Sequence, residues 1–209
     1  RCNLICGSDA IHYYLSGRKP FRQQGHADDE ALRRERDELA TFGRIDEARQ
    51  ASEFSEQHGF QIEEWRLLDQ SPAGFQAGRE AGQPGGRIGQ GQLVAIRPDT
   101  SQHFLLGCVR WAMVTSEGRL LAGIRMMPGR PEPVAARVTD ATMNKEPYRP
   151  AFLLPAVPAL NSPASVVIPT AHFRAGRTLD LSGGPHRQVV LLQLVDHGLD
   201  FDRATYQPR

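Results

Sequence analysis

The chain has 209 residues, 40% of them hydrophobic, with Lys+Arg 25 against Asp+Glu 24. That length carries a hydrophobic core in one large or two small domains, and the near-zero net charge gives no general grip on a nucleic-acid polymer. Three cysteines, no apolar run approaching the ~20 residues of a membrane span and no signal-peptide pattern leave a cytoplasmic protein without a span as the expectation.

Arg1 leads straight into apolar residues, as though the chain began partway through a longer protein. Residues 1–26 read as an N-terminal strand segment, with a strand over 4–6 and either a second strand or a helical turn over 11–15. Cys2 and Cys6 with His12 have the makings of half a metal site, but no second pair at ligand spacing follows. Two small buried hydrophobes are the expectation. Of Tyr13 and Tyr14, one is expected to pack and the other to face water.

Residues 27–60 change character. Between Ala27 and Glu56 there are ten acidic and five basic residues, no Pro and one Gly. Leu32, Leu39, Phe42 and Ile45 recur at helical spacing, which predicts a charged helical linker with a wet surface. Arg33, Arg34 and Arg36 have Glu30, Glu35, Asp37 and Glu38 as neutralising helical neighbours.

From residue 61 to 140 the pattern turns to β. Strands are predicted over 62–69, 74–78, 93–97, 104–115, 120–127 and, last, 134–138, separated by Gly/Pro-rich turns such as A-G-Q-P-G-G. Many short strands without intervening helices argue for a small antiparallel barrel or sandwich. A Pro-studded connection then leads to residues 148–209, a β-rich lobe with strands at 164–168, 177–181 and 188–194 and an acidic tail. Too small for an independent core, this lobe is expected to pack on the barrel. The fold class is therefore mainly β: a small antiparallel barrel or sandwich, the barrel being what the family resemblance given below implies, with a second β-rich lobe and a charged helical insertion near the N-terminus.

Enzyme signatures are lacking. The seven His are scattered, and there is no H-E-x-x-H, no G-x-S-x-G and no phosphate-cradling Gly loop before a helix. A non-enzymatic module with no catalytic residue, no metal site and no resident cofactor is the expectation.

The strongest local signal is Trp65 to Gly74, W-R-L-L-D-Q-S-P-A-G, a strand ending in a polar turn. Asp69 and Ser71 can offer an acceptor and a hydroxyl to a purine edge, while Gly74 lets backbone turn tightly or approach a ligand. Equally, Asp69 and Ser71 can satisfy their own turn with Gly74 at positive φ. Arg110 and Trp111 are expected on opposite strand faces, Trp111 as a core anchor and Arg110 toward solvent or a ligand groove. Arg66 and Trp65 pose the same choice.

D-Q-S-P-A-G, followed by G-Q-L-V-A-I-R, L-G-C-V-R-W and L-A-G-I-R-M, resembles the PilZ domain over residues 60 to 138, and the chain looks like proteobacterial proteins that join such a barrel to a second β-rich segment. The resemblance implies a cyclic di-GMP receptor module with Asp69, Ser71 and Gly74 at the nucleotide and an unidentified protein partner, and strand alternation adds Arg110 as a fourth candidate at the nucleotide. The alternative is a degenerate PilZ-like barrel that binds no nucleotide and serves protein interaction. PilZ domains pair D-x-S-x-x-G with R-x-x-x-R on a loop before the first barrel strand, where two guanidinium groups grip phosphates and stack on bases. Arg33 with Arg36 and Arg44 with Arg49 miss that spacing. The motif is thus expected to stand without a preceding R-x-x-x-R, as a half-site; if the first barrel strand is 4–6 rather than one near residue 55, the arginine loop falls at or before Arg1. A similar stretch at Phe173 to Gly184 ends in Pro185 where a Gly is needed, so it reads as a strand and hairpin.

Overall fold

The computed structural model describes residues 1–21, 47–139 and 146–209. Among them twelve strands close into two six-stranded antiparallel barrels. The first comprises β1 (Cys2–Cys6), β2 (Glu63–Ser71), β3 (Gly74–Glu80), β4 (Leu93–Pro98), β5 (Leu105–Val114) and β6 (Arg119–Met126), in the order β1-β2-β3-β6-β5-β4. The second comprises β7 (Glu132–Val138), β8 (Arg149–Leu154), β9 (Ser165–Pro169), β10 (Thr178–Ser182), β11 (Gln188–His197) and β12 (Phe201–Pro208), in the order β10-β11-β12-β9-β8-β7. Closure leaves neither sheet with a free edge.

Strand alternation sorts the apolar residues into three cores. Leu4, Val94, Ile96, Val109 and Ala122 point into the first barrel around Trp65, which is 2% exposed. Val134, Leu153, Val166, Leu179, Val189 and Leu191 fill the second. The intervening positions Ile5, Leu93, Ala95, Leu106 and Cys108 point outward from the first barrel, meet Phe152, Leu154, Val167 and Phe201 of the second, and form a seam between the two. Strands buried on both faces read as continuous apolar runs, as in Leu93-Val94-Ala95-Ile96.

Helix α1 (Ser8–Leu15) lays Ala10 and Ile11 on this seam, so residues 11–15 are helical and no second strand. Tyr13 is buried and stacks on Phe54 of helix α2 (Glu47–Gln57), with its hydroxyl donating to the Ala51 carbonyl at 2.6 Å. The half-buried Tyr14 donates to the Phe60 carbonyl at 3.0 Å. The predicted helical stretch from Ala27 to Ile45, with Arg33, Arg34, Arg36 and Arg44, lies outside the described residues.

Several placements differ from the sequence expectations. The N-terminal strand is a stave of the first barrel, paired to β2 and β4. Residues 134–138 close no first barrel: β7 pairs with β8 and β10 in the second. The Pro-studded connection contains β8, and the acidic tail is β12, where Asp202 accepts the Phe173 N–H and Arg203 donates to Ser165 and Ser162. With those two strands added, the lobe has a core of its own as well as the seam.

Candidate functional site

The face that carries Asp69 is shaped by two β-bulges. In the β2–β3 pair the register slips between Leu67 and Asp69, and in the β5–β6 pair between Val109 and Trp111. A bulge sets two residues opposite one and turns both toward the same side. Leu68 and Asp69, and likewise Arg110 and Trp111, are consequently all exposed. The expected alternation of Arg110 against Trp111 fails for this reason. Trp111 is no core anchor; it is 40% exposed, and Trp65 holds the barrel interior instead.

Between the bulges runs one row of cross-strand partners: Asp69, Gln76, Gly123 and Trp111. Their neighbours Ala77 and Ala122 face the core, so the row faces outward, spanning about 14 Å across three inter-strand gaps. Gly123 leaves its place to the indole, because a Cβ there would lie 2.2 Å from the Trp111 Nε1. The next row of the same face is Ser71, Gly74 and Arg125, continuing to Cys108 beneath the seam.

Asp69 accepts the Gln70 N–H at 2.8 Å and Ser71 donates to the Gly74 carbonyl at 3.4 Å. Both side chains are exposed and keep further acceptor capacity. Gly74 is needed for a reason other than positive φ. A Cβ there would come 2.2 Å from the Ile124 carbonyl oxygen, so β6 backbone packs against it directly.

Positive charge collects at the seam end of the face. Arg125 forms an ion pair with Asp196 of β11, joining the two barrels. Burial pushes the Cys108 thiol up, and Asp196 adds to that, while Arg110 and Arg125 pull it down. Burial likewise lowers Arg203, with Asp196 opposing and Arg125 reinforcing the shift. Asp196 thus lies between two guanidinium groups, paired with Arg125 and opposite Arg203 in the β11–β12 ladder, while Arg110 stands near Cys108. Arg125 has no signature of its own in L-A-G-I-R-M; only its pairing with Gly74 identifies it.

Beside this face lies a groove of about 610 Å³ lined by Arg66, Leu68, Gly78, Arg79, Arg119 and Leu121, among others. Arg66 is exposed and Trp65 buried, which resolves the choice between them. Arg79 is 9% exposed and forms an ion pair with Glu63 at 3.2 Å beneath the A-G-Q-P-G-G loop. In the look-alike stretch, Asp180 on β10 is held by Arg137 at 2.8 Å and by Gln188.

The first segment itself carries the spacing expected upstream of the chain. Arg18-Lys19-Pro20-Phe21-Arg22 is R-x-x-x-R, which corrects the expectation that none precedes the motif. Arg18 stands exposed just past α1 with its N–H on the Tyr13 carbonyl at 2.8 Å. Arg22 lies outside the described residues. The spacing alone was enough to find this pair.

No solved structure matches the chain. Among curated proteins it is similar to the cyclic-di-GMP receptor FimW of Pseudomonas aeruginosa, 26% identical over an alignment of 223 positions, gaps included, that covers 90% of this chain and 36% of the relative. The chain thus spans little more than a third of that protein's length. The family model of the FimW C-terminal beta-barrel domain matches residues 134–208, which are the strands of the second barrel rather than the segment that resembles PilZ.

Proposed function

We propose that the chain is a cyclic di-GMP-binding regulatory module of PilZ type, acting in the cytoplasm and without catalysis of its own. The observation that carries this reading is the outward face built of two adjacent rows, one between the bulges and one beside it. It brings the acceptor of Asp69, the hydroxyl of Ser71, the side-chain-free Gly74 and the exposed indole of Trp111 to one surface, with Arg110 at its border. A guanine finds there a carboxylate for its N–H edge and an aromatic plane to stack on. The two phosphodiesters find guanidinium groups at the seam, and Arg18 with Arg22 supplies the spacing that PilZ domains use. A relative named as a cyclic-di-GMP receptor supports the ligand class, and three free cysteines among the described residues suit a reducing compartment.

Calorimetric titration tests the assignment. Cyclic di-GMP binds with micromolar or tighter affinity, and Asp69→Asn or Ser71→Ala weakens it by about 1 to 3 kcal/mol, the scale of an unmade polar contact. Unchanged affinity in both variants places the ligand elsewhere. Absence of binding to the wild-type chain favours the alternative, a barrel that serves protein interaction alone.

A further inference from the structure

We infer that Arg125 grips a phosphate of the ligand and that Asp196, reaching over from the second barrel, is the carboxylate which that phosphate displaces. The inference rests on the cyclic di-GMP reading and adds two residues from outside the motif, one of them from the other barrel.

Position is the first ground. Arg125 lies directly across from Gly74, in register with Ser71 and Gly74 and on the outward face that holds Asp69 and Trp111. Beside it stands Gly74, which has no side chain, and the next outward position of its own strand, Gly123, is covered by the Trp111 indole. The Arg125 side chain is 45% exposed and that of Asp196 only 15%. The guanidinium therefore offers an open edge to the face while its partner approaches from the seam.

Charge is the second ground. Asp196 pairs with Arg125 and sits opposite Arg203 in the β11–β12 ladder, whose charge it helps to hold, and the Cys108 thiol feels Asp196, Arg110 and Arg125 together. The hydrogen bonds of Arg203 go to the hydroxyls of Ser165 at 2.9 Å and Ser162 at 2.8 Å, not to an acid. One carboxylate thus stands between two cations, of which only Arg125 pairs with it directly. A phosphodiester bears the same single negative charge and two acceptor oxygens, so the exchange conserves charge and hydrogen-bond geometry at Arg125.

The third ground is the strand that carries Asp196. Register shifts fall between Leu191 and Leu194 and again between Leu194 and Asp196. Regular pairing is already interrupted there, and Asp196 can withdraw without unzipping a continuous ladder. Its withdrawal breaks the ion pair that joins the barrels. Ligand occupancy of the first barrel is thereby sensed by the part of β11 that exposes Leu192, Leu194 and Val195.

Titration of cyclic di-GMP into the full chain and two variants tests this. Asp196→Asn removes the competing charge and keeps the side chain's size, so binding tightens roughly 2- to 10-fold, the range of a partly exposed ion pair. Arg125→Gln weakens binding about 10-fold or more. Hydrogen exchange of the amides of residues 192–197 gives a second readout: cyclic di-GMP accelerates it in the wild-type chain, and Asp196→Asn accelerates it without ligand. If the wild type binds and Asp196→Asn binds equally or more weakly, displacement is wrong while the cyclic di-GMP reading stands. A wild-type chain that binds nothing overturns that reading and this inference with it. Should Arg125→Gln fail to fold, Asp196→Asn alone decides.

Discussion

Replacing Arg79 by Met removes one member of a buried ion pair and keeps most of its volume. The two side chains are 5% and 6% exposed, and the Arg79 Nε lies 3.2 Å from the Glu63 Oε2. Arg79 also donates to the carbonyls of Gln83 at 2.8 Å and Gly86 at 3.2 Å and lies over the Trp65 ring. Glu63 in turn accepts the Trp65 indole N–H at 2.9 Å and the Gly86 N–H at 2.6 Å. The pair therefore ties the A-G-Q-P-G-G loop to the barrel. Leaving a buried charge unpaired costs about 3–5 kcal/mol. Glu63 retains two donors, which puts Arg79→Met near the lower end, about 3 kcal/mol. At roughly 2–4 °C per kcal/mol for a chain of this size, the melting temperature falls by about 6–12 °C. The double variant with Glu63→Gln removes both charges and is more stable than Arg79→Met alone. Gly85→Ala loosens the same pair with both charges present, because its Cβ would lie 2.6 Å from the Arg79 Nη2 and 2.8 Å from the Glu63 Oε2. Circular dichroism during thermal and urea unfolding reads all three. A loss of under about 1 kcal/mol for Arg79→Met, or a double variant less stable than the single one, refutes the reasoning.

Two further outcomes concern the site and the seam. Gly123→Ala must push the Trp111 indole aside, since its Cβ would meet Nε1 at 2.2 Å; the account expects cyclic di-GMP affinity to fall by about 1–3 kcal/mol, the worth of one stacked base, with the fold intact by circular dichroism. Burial holds His12 below the usual histidine range, with the Val134 carbonyl and Asp9 opposing. The folded chain therefore refuses a proton that the unfolded chain accepts. That contribution is complete above the unfolded value of about 6.5 and is lost as pH falls below it. His12→Gln consequently flattens the decline of melting temperature between about pH 7 and about pH 5, and an unchanged slope contradicts the assignment.

Much of the first barrel is legible because its strands are bounded by Gly/Pro turns: 62–69, 74–78, 93–97 and 120–127 fall within β2, β3, β4 and β6 to a residue or two. What escapes has physical causes. β8 reads as a connection because Pro150 and Pro155 bracket a run buried on both faces, which shows no alternation. β12 reads as a tail because Asp202 and Arg203, 7% and 6% exposed, look solvated until their partners Phe173, Ser165 and Ser162 are seen. At the site, Asp69, Ser71 and Gly74 could be read from one local motif, whereas Arg125 and Asp196 come together only through pairing 71 residues apart. A single extra residue at the Arg110 bulge is enough to defeat a period-2 argument and turn Trp111 outward.

Trp111 also makes the nucleotide site directly observable by fluorescence. The chain has two tryptophans, Trp65 at 2% exposure and Trp111 at 40%. Tryptophan emission titrated with cyclic di-GMP therefore reports on the outward row itself. Quenching that saturates in the low micromolar range or below and disappears in Trp111→Phe is the expected result. Emission that is indifferent to cyclic di-GMP, or quenching that survives in Trp111→Phe, contradicts a nucleotide site on this face.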